Sequence, residues 1–186
     1  MELTLIRHLQ TEWNKRGVLQ GSKDIPILDL DETVLASIEK NKQKLKQKYS
    51  IILTSTLTRT QQTAVAYGYH DFAIDPLLNE LDFGMFEGKA KNLLIETHKK
   101  EWFTNPSNIE LGERIADLGD RILTFLQKYK DHESILVFGH GSWIRACVSY
   151  LKYGTIDKMN QIEIKNNQLL TIKVREEEYE IGRHHI

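Results

Sequence analysis

The sequence is poor in cysteine, in long apolar runs and in net charge, and each shortage excludes a class of protein. The single cysteine, Cys147, excludes an internal disulfide. No apolar run approaches the roughly 20 residues that a membrane helix requires, and the start at Met1 has no signal-peptide pattern. A formal net charge of -1 leaves no basic field of the kind that binds nucleic acid. These features favour a cytoplasmic protein without nucleic-acid or membrane partners.

The composition that remains is typical of a globular protein. The chain has 186 residues, of which 40% are hydrophobic and 27% are charged, so we expect one domain over residues 1–186. Apolar and β-branched runs predict strands at 3–6, 51–53, 72–74 and 134–138, with helical patterns between them. This alternation predicts an α/β fold, a three-layer sandwich with a mostly parallel central sheet.

Three further segments complete the predicted element order. The acidic group at 29–32 predicts a helix start, and Val34, Ile38, Leu45 and Tyr49 lie near one face of that surface helix. Residues 77–111 are the least regular part, and we interpret them as an excursion over the active face with one short helix at about 92–102. Residues 161–165 and 168–174 predict a terminal hairpin around residues 166–167.

The clearest helix prediction comes from apolar residues that step by three and four positions along the chain. This spacing places them on one face of an amphipathic helix. They are Ile115, Leu118, Ile122, Leu126 and Tyr129.

Three predicted strands each deliver a polar group at their carboxyl end. Arg7 and His8 follow the first strand, Ser55 and Arg59 follow the second, and the sequence 139–141, Gly-His-Gly, follows the fourth. Carboxyl ends of parallel strands lie at one edge of a sheet, where ligands bind in α/β folds. Two arginines beside two histidines are costly to bury without an anion, and planar guanidinium groups match phosphate oxygens. The glycines permit close backbone approach, and the helix after His140 is expected to aim its amides at that anion.

Each of these groups has an ordinary structural explanation when it is taken alone. An isolated Arg-His pair is more often a packing feature, a lone Gly-His-Gly is equally weak, and Ser55 and Arg59 would simply cap a helix. Their joint occurrence at three strand ends is what favours a phosphate site.

The motifs around these groups resemble those of the histidine phosphatase superfamily, the phosphoglycerate mutase-like family. The resemblance spans about residues 3–151, and its motifs occur in the family's order. They are Arg7-His8 with the following residues to Asn14, Leu19-Gln20-Gly21, the segment from Thr54 to Ala64, the segment from Leu78 to Gly88, and Gly139-His140-Gly141.

The resemblance implies a role for each matching position. His8 is expected to be the nucleophile that becomes phosphohistidine, and Glu80 the proton donor to the leaving group. The rest of the phosphate pocket is implied to be Arg7, Arg59 and a protonated His140. Further implied substrate contacts are Asn14, Gln20, Gly21 and Gly141. An imidazole that attacks phosphorus divides the reaction into two steps, and these cations cancel phosphoryl charge, so no metal ion or other cofactor is expected.

One position departs from the family's pattern. Leu9 stands where the family usually has the glycine after the Arg-His pair. We expect its side chain to turn away from the phosphate.

The leading functional prediction is a metal-independent phosphatase that acts on a small phosphorylated metabolite. The first alternative is a 2,3-bisphosphoglycerate-dependent phosphoglycerate mutase, which transfers the phosphoryl group back to substrate. Residues 89–111 contain lysines but no arginine pair, which favours the phosphatase. The second alternative is a non-catalytic module that only binds phosphorylated ligands. The sequence leaves the oligomeric state and the physiological substrate open.

Overall fold

A five-stranded sheet forms the middle layer of the part of the chain, residues 1–175, that the computed structural model describes. Its strands lie in the order β3-β2-β4-β1-β5. β5 alone is antiparallel to its neighbour among these strands. The predicted α/β fold with a mostly parallel sheet is therefore confirmed. The strands are β1 (Glu2–Arg7), β2 (Ile51–Thr54), β3 (Ala73–Ile74), β4 (Ser134–Gly139) and β5 (Leu169–Lys173).

Helices cover both faces of this sheet. None of the helices within residues 1–175 combines the length and apolar character needed to cross a membrane. They are α1 (Glu12–Lys15), α2 (Glu32–Lys42), α3 (Thr58–Ala66), α4 (Lys91–Thr104), α5 (Ile115–Tyr129) and α6 (Gly141–Tyr153).

The alternation of side chains along β4 separates two cores. Ile135 and Val137 belong to the larger cluster, which contains the buried faces of α5 and α6. Leu136 and Phe138 belong to the smaller cluster, which contains Ile38 of α2. Successive residues of a strand point to opposite faces, so one fully buried strand supplies both layers of packing. The three-layer arrangement follows directly.

The predicted terminal hairpin is wrong in one of its two strands. Residues 166–167 do form a turn, with Asn167 at a φ of 60°, but residues 162–165 are not a strand. β5 pairs instead with the edge of β1 that β4 leaves free. β1 is longer and more apolar than the segment 161–165 that the sequence predicts as the partner of β5. Ile164 is buried in the larger cluster, which holds its segment beside the end of β1.

Two helix predictions are adjusted at their ends. α2 ends at Lys42, and a turn at residues 43–44 separates it from Tyr49. Tyr49 is therefore outside the helix, although its ring is buried in the smaller cluster. The short helix expected in the excursion is present as α4, with a kink at Lys99. The helix predicted from the five apolar residues between 115 and 129 is confirmed as α5, and all five are buried.

We expect Ile122→Ala to destabilise the protein by about 2–5 kcal/mol, because it leaves a cavity in the larger cluster. Ile122 is 0% exposed at the middle of α5. The free energy of unfolding from urea denaturation measures the effect. Gln127→Ala, at an exposed position of the same helix, is the control, and equal losses in both variants would contradict the assigned packing.

Candidate active site

A cavity of about 270 Å³ lies where β1, β2 and β4 end. The polar groups at the carboxyl ends of these three strands thus lie together, as the sequence predicted. Most of the predicted site residues line this cavity. Those that do are Arg7, His8, Asn14, Gln20, Gly21, Arg59, Glu80 and Gly141. His140 lies next to them, with its ring centroid 5.4 Å from that of His8.

His8 follows β1 and is 2% exposed. Its Nδ1 lies 2.7 Å from the carbonyl oxygen of Leu9, and a carbonyl only accepts hydrogen bonds, so Nδ1 carries the proton. Burial, and then the charges of Arg59 and Arg7, lower the pKa of His8 well below its ordinary value. The imidazole is therefore neutral, with an unprotonated Nε2, which is the form that can attack phosphorus.

His140 is held in the opposite tautomer. The Nε of Arg59 donates to its Nδ1 at 3.2 Å, so its proton is on Nε2, 2.7 Å from the hydroxyl oxygen of Ser55. Burial, followed by the charges of Arg59, His8 and Arg7, lowers the pKa of His140 well below its ordinary value. The two arginines therefore disfavour a protonated His140, and its protonation beside a phosphoryl group stays a prediction.

Arg59 is 0% exposed and organises one wall of the cavity. Besides its bond to His140, it donates to the carbonyl oxygens of Lys23 at 2.6 Å and Gly21 at 2.8 Å. Backbone carbonyls thereby compensate part of its desolvation. Gly21 has a φ of +54°, and a Cβ there would collide with the carboxylate of Glu87. Glycine is therefore required at this position to keep the loop against Arg59.

Arg7 forms the opposite wall. Its Nη1 donates to the carbonyl oxygen of Ile164 at 2.7 Å, while its buried Nε has no partner among the described residues. Burial lowers the pKa of Arg7 to about 10, with Glu80 acting against it. A Cβ on Gly141 would lie 3.2 Å from this Nε, so the glycine lets Arg7 reach the start of α6.

Glu80 lies at the amino end of α6. Its carboxylate accepts from the amides of Ser142, at 3.1 and 3.0 Å, and of Trp143, at 3.1 Å. The amide of Leu81 adds a bond of 3.0 Å. The helix amides that the sequence assigned to the phosphate thus bind Glu80 instead, because a carboxylate satisfies the unpaired donors of a helix start. Glu80 is thereby fixed against the cavity.

Asn14 and Gln20 present amide groups to the same space. The Oδ1 of Asn14 accepts from the amide of Thr11 at 3.2 Å and from Asn166 at 3.1 Å. The Oε1 of Gln20 accepts from the Thr11 hydroxyl at 2.9 Å. With both oxygens occupied, the two NH₂ groups are the parts free to donate to an anion.

Leu9 turns away from the cavity, as expected. Its side chain is 3% exposed and packs in the smaller cluster. Its amide donates to the hydroxyl of Thr63 at 3.0 Å and is therefore not directed at a phosphate. Leu9 is not among the described residues with positive φ, so this backbone does not need the glycine that the family usually has here.

Several cavity residues were not found from the sequence. Asn166 comes from the turn before β5, and no motif signals it. Arg145 does have a signal, since it lies four positions after Gly141 and so one helical turn into α6. The excursion contributes Lys91, and also Trp102, whose place in the excursion makes it a candidate for the lining. The other lining residues are Gly17, Val18, Leu19, Phe83 and Ser142.

Comparisons with known proteins show the family and the fold. A family model described as histidine phosphatase superfamily (branch 1) matches residues 3–186. A protein named putative phosphoserine phosphatase 2, from Hydrogenobacter thermophilus, is 29% identical, covering 94% of this chain and 90% of its own. A 2,3-bisphosphoglycerate-dependent phosphoglycerate mutase from Bartonella quintana is 28% identical, covering 91% and 87%. The crystal structure of the α-ribazole phosphatase from Shigella flexneri shares the fold, with a TM-score of 0.75 at 21% identity and coverage of 95% and 92%.

We expect Leu9→Gly, which introduces the family's usual residue, to destabilise this protein by about 2–5 kcal/mol, because it empties a buried position. Urea denaturation gives the free energy of unfolding. Gln10→Gly at the exposed neighbouring position is the matched control, for which we expect a loss of about 1 kcal/mol or less from backbone entropy alone. A Leu9→Gly loss no larger than the control's would show that Leu9 contributes nothing by packing.

Proposed function

We propose that this chain, which belongs to the histidine phosphatase superfamily (branch 1), is a phosphatase that hydrolyses small phosphomonoesters through a phosphohistidine on His8. The observation that carries the proposal is the state of His8. A neutral imidazole whose Nδ1 proton is held by a carbonyl oxygen faces a cavity lined by arginines. That combination provides a nucleophile and a phosphate pocket within one space.

In the first step, Nε2 of His8 attacks phosphorus and the bond to the leaving oxygen breaks. Arg7 and Arg59 cancel charge on the transferring oxygens, and the amides of Asn14 and Gln20 orient them. Glu80, as a carboxylic acid, gives its proton to the leaving oxygen, because an alkoxide is a poor leaving group. A phosphomonoester whose second ionisation lies near pH 6 is able to bring that proton into the site.

In the second step, water attacks phosphorus and the bond to His8 breaks. The carboxylate of Glu80 accepts a proton from this water. The three amides bound to Glu80 support this step, because they hold its carboxylate in a fixed position against the cavity. Inorganic phosphate is released, and His8 returns to the neutral state in which it began.

The relatives support this class of reaction and also leave a second candidate. The names phosphoserine phosphatase and α-ribazole phosphatase favour hydrolysis of a small phosphorylated metabolite. Several relatives named as mutases, such as that from Bartonella quintana, are of similar identity, so a phosphoglycerate mutase remains the second candidate. A mutase would interconvert 2- and 3-phosphoglycerate faster than it releases phosphate, and a phosphatase would do the reverse.

The remaining parts of the proposal concern the chain as a whole. We propose that residues 1–186 act as one domain and that neither a metal ion nor another cofactor takes part. A cytoplasmic protein without nucleic-acid or membrane partners stays the prediction made from composition.

We expect the protein to release phosphate from p-nitrophenyl phosphate in the presence of EDTA and to form an acid-labile phosphoenzyme that His8→Ala lacks. Rapid quenching in alkaline detergent after incubation with ³²P-labelled substrate measures the second property, because phosphohistidine survives alkali and is lost on later acid treatment. His70→Ala, at an exposed histidine outside the cavity, is the control and should be labelled normally. Binding of phosphate esters without turnover would favour the non-catalytic module instead.

We expect Glu80→Gln to separate the two steps. With p-nitrophenyl phosphate, whose leaving group needs no proton, the variant should release a burst of about one equivalent of p-nitrophenolate and then turn over about 10²–10⁴ times more slowly than the wild type. Stopped-flow absorbance records both phases. Glu110→Gln, at an exposed position outside the cavity, is the control, and wild-type steady-state rates in Glu80→Gln would remove Glu80 from the mechanism.

A further inference from the structure

The peptide group that joins His8 to Leu9 is held on both sides by side chains from other parts of the chain. The amide of Leu9 donates to the hydroxyl oxygen of Thr63 at 3.0 Å. The carbonyl oxygen of His8 accepts from the Nδ2 of Asn166 at 3.0 Å. Because a peptide group is planar, one bond to its N–H and one to its oxygen fix the orientation of the whole unit.

Thr63 reaches this peptide from the buried side of α3, where it is 0% exposed. Its hydroxyl donates to the carbonyl oxygen of Arg59 at 2.6 Å, one helical turn earlier, so the oxygen is left to accept from Leu9. A buried amide needs such an acceptor. The hydroxyl therefore joins the peptide after His8 to the backbone of a residue in the phosphate pocket.

Asn166 joins the same peptide to a second cavity residue. The Nδ2 that binds the carbonyl oxygen of His8 also donates to the Oδ1 of Asn14 at 3.1 Å. Both partners are acceptors, so they fix the orientation of the Asn166 amide. Since the Oδ1 of Asn14 also accepts from the amide of Thr11, the NH₂ group of Asn14 is left to face the cavity.

The turn that carries Asn166 is itself tied to the end of β1. The amide of Asn167 donates to the carbonyl oxygen of Arg7 at 3.0 Å, and the amide of Arg7 donates to the carbonyl oxygen of Gln168 at 3.1 Å. The Nδ2 of Asn167 donates to the hydroxyl of Ser37 in α2 at 2.8 Å. Asn166 therefore reaches His8 from a segment that is fixed to both a strand and a helix.

The orientation of the His8–Leu9 peptide bears on the proton of His8. The Nδ1 of His8 is bound to the carbonyl oxygen of Leu9, which belongs to the next peptide group. A rotation of the His8–Leu9 peptide changes the ψ of His8 and the φ of Leu9, and so moves that carbonyl relative to the ring. The bond that one ring nitrogen makes decides which nitrogen carries the proton.

We propose that Thr63 and Asn166 are positioning residues, which fix the His8–Leu9 peptide and so keep the Nε2 of His8 unprotonated and aimed at the cavity. The consequence for catalysis rests on the proposed function, whereas the tautomer of His8 is a property of the protein without substrate. Misplacing a reacting group by about 1 Å costs about 10²-fold in rate. Loss of either bond should therefore slow the phosphorylation of His8.

The tautomer is tested by long-range ¹H–¹⁵N spectra of protein labelled with ¹⁵N-histidine, in which the two nitrogens of a neutral ring give separate signals. The signals of His8 are those that His8→Ala lacks. We expect Nδ1 to carry the proton in the wild type at neutral pH, and Thr63→Val and Asn166→Ala to shift part of the population to the Nε2 tautomer. Thr63→Ser, which keeps the hydroxyl, should retain the wild-type signals. Thr124→Val, which removes the same kind of helical hydroxyl bond at an exposed position of α5, is the control.

Kinetics separate positioning from stability. In Thr63→Val we expect the rate constant of phosphoenzyme formation from p-nitrophenyl phosphate to fall about tenfold or more. The inhibition constant for inorganic phosphate should not change, because Thr63 does not line the cavity. In Asn166→Ala both constants should worsen, since Asn14 also loses a partner. Asn108→Ala, at an exposed position outside the cavity, is the control.

The outcomes distinguish this inference from the proposed function. Wild-type His8 signals and wild-type phosphorylation rates in Thr63→Val and Asn166→Ala would overturn the positioning role while the phosphatase function stands. A Thr63→Ser variant that behaves like Thr63→Val would also overturn it, because the hydroxyl would then not be the group that acts. If Thr63→Val does not fold, Asn166→Ala carries the same test at a partly buried position. A tautomer that responds as expected in a protein that forms no phosphoenzyme would support the positioning role and contradict the phosphatase function.

Discussion

The parallel pairing of β1 with β4 is the constraint on which the site depends. In this register Arg7 lies opposite Gly139, and the amide of His8 donates to the carbonyl oxygen of Gly139 at 2.9 Å. The two histidines leave their strands at the same level, which brings their rings within 5.4 Å of each other. A shift by one residue would turn one of them to the other face of the sheet. The cores on both faces prevent that shift, since it would also exchange every buried side chain of β1.

Buried charge is the main cost of this arrangement, and it has a direct effect on the histidines. Arg59 and Arg7 are held by backbone carbonyls and so remain charged at the base of the cavity. Their charges, added to burial, keep both imidazoles neutral. A neutral His8 is what nucleophilic attack requires, and uncompensated arginines are what phosphate binding requires. The same desolvation therefore serves both needs.

Hydrogen bonds decide which atom of each group is available. A carbonyl oxygen fixes the tautomer of His8, and Arg59 fixes that of His140. Amides of α6 hold the carboxylate of Glu80, so this helix start acts on the phosphoryl group through Glu80.

Local patterns in the sequence determined the elements and the polar residues at their ends. Apolar spacing located β1, β4 and α5, because a buried strand and an amphipathic helix each impose their own period. The strand-end positions of His8, Arg59 and His140 predicted their convergence, since parallel strands end at one edge of a sheet.

Only the tertiary structure decided which groups pair. Contacts between distant segments determine the partner of β5, the neutral state of His140 and the binding of Glu80 by α6 amides. They also place Lys91, Arg145 and Asn166 at the cavity. A sequence pattern records the period of one element but not the neighbour that the element meets, and burial, charge and hydrogen bonding at this site arise from those neighbours.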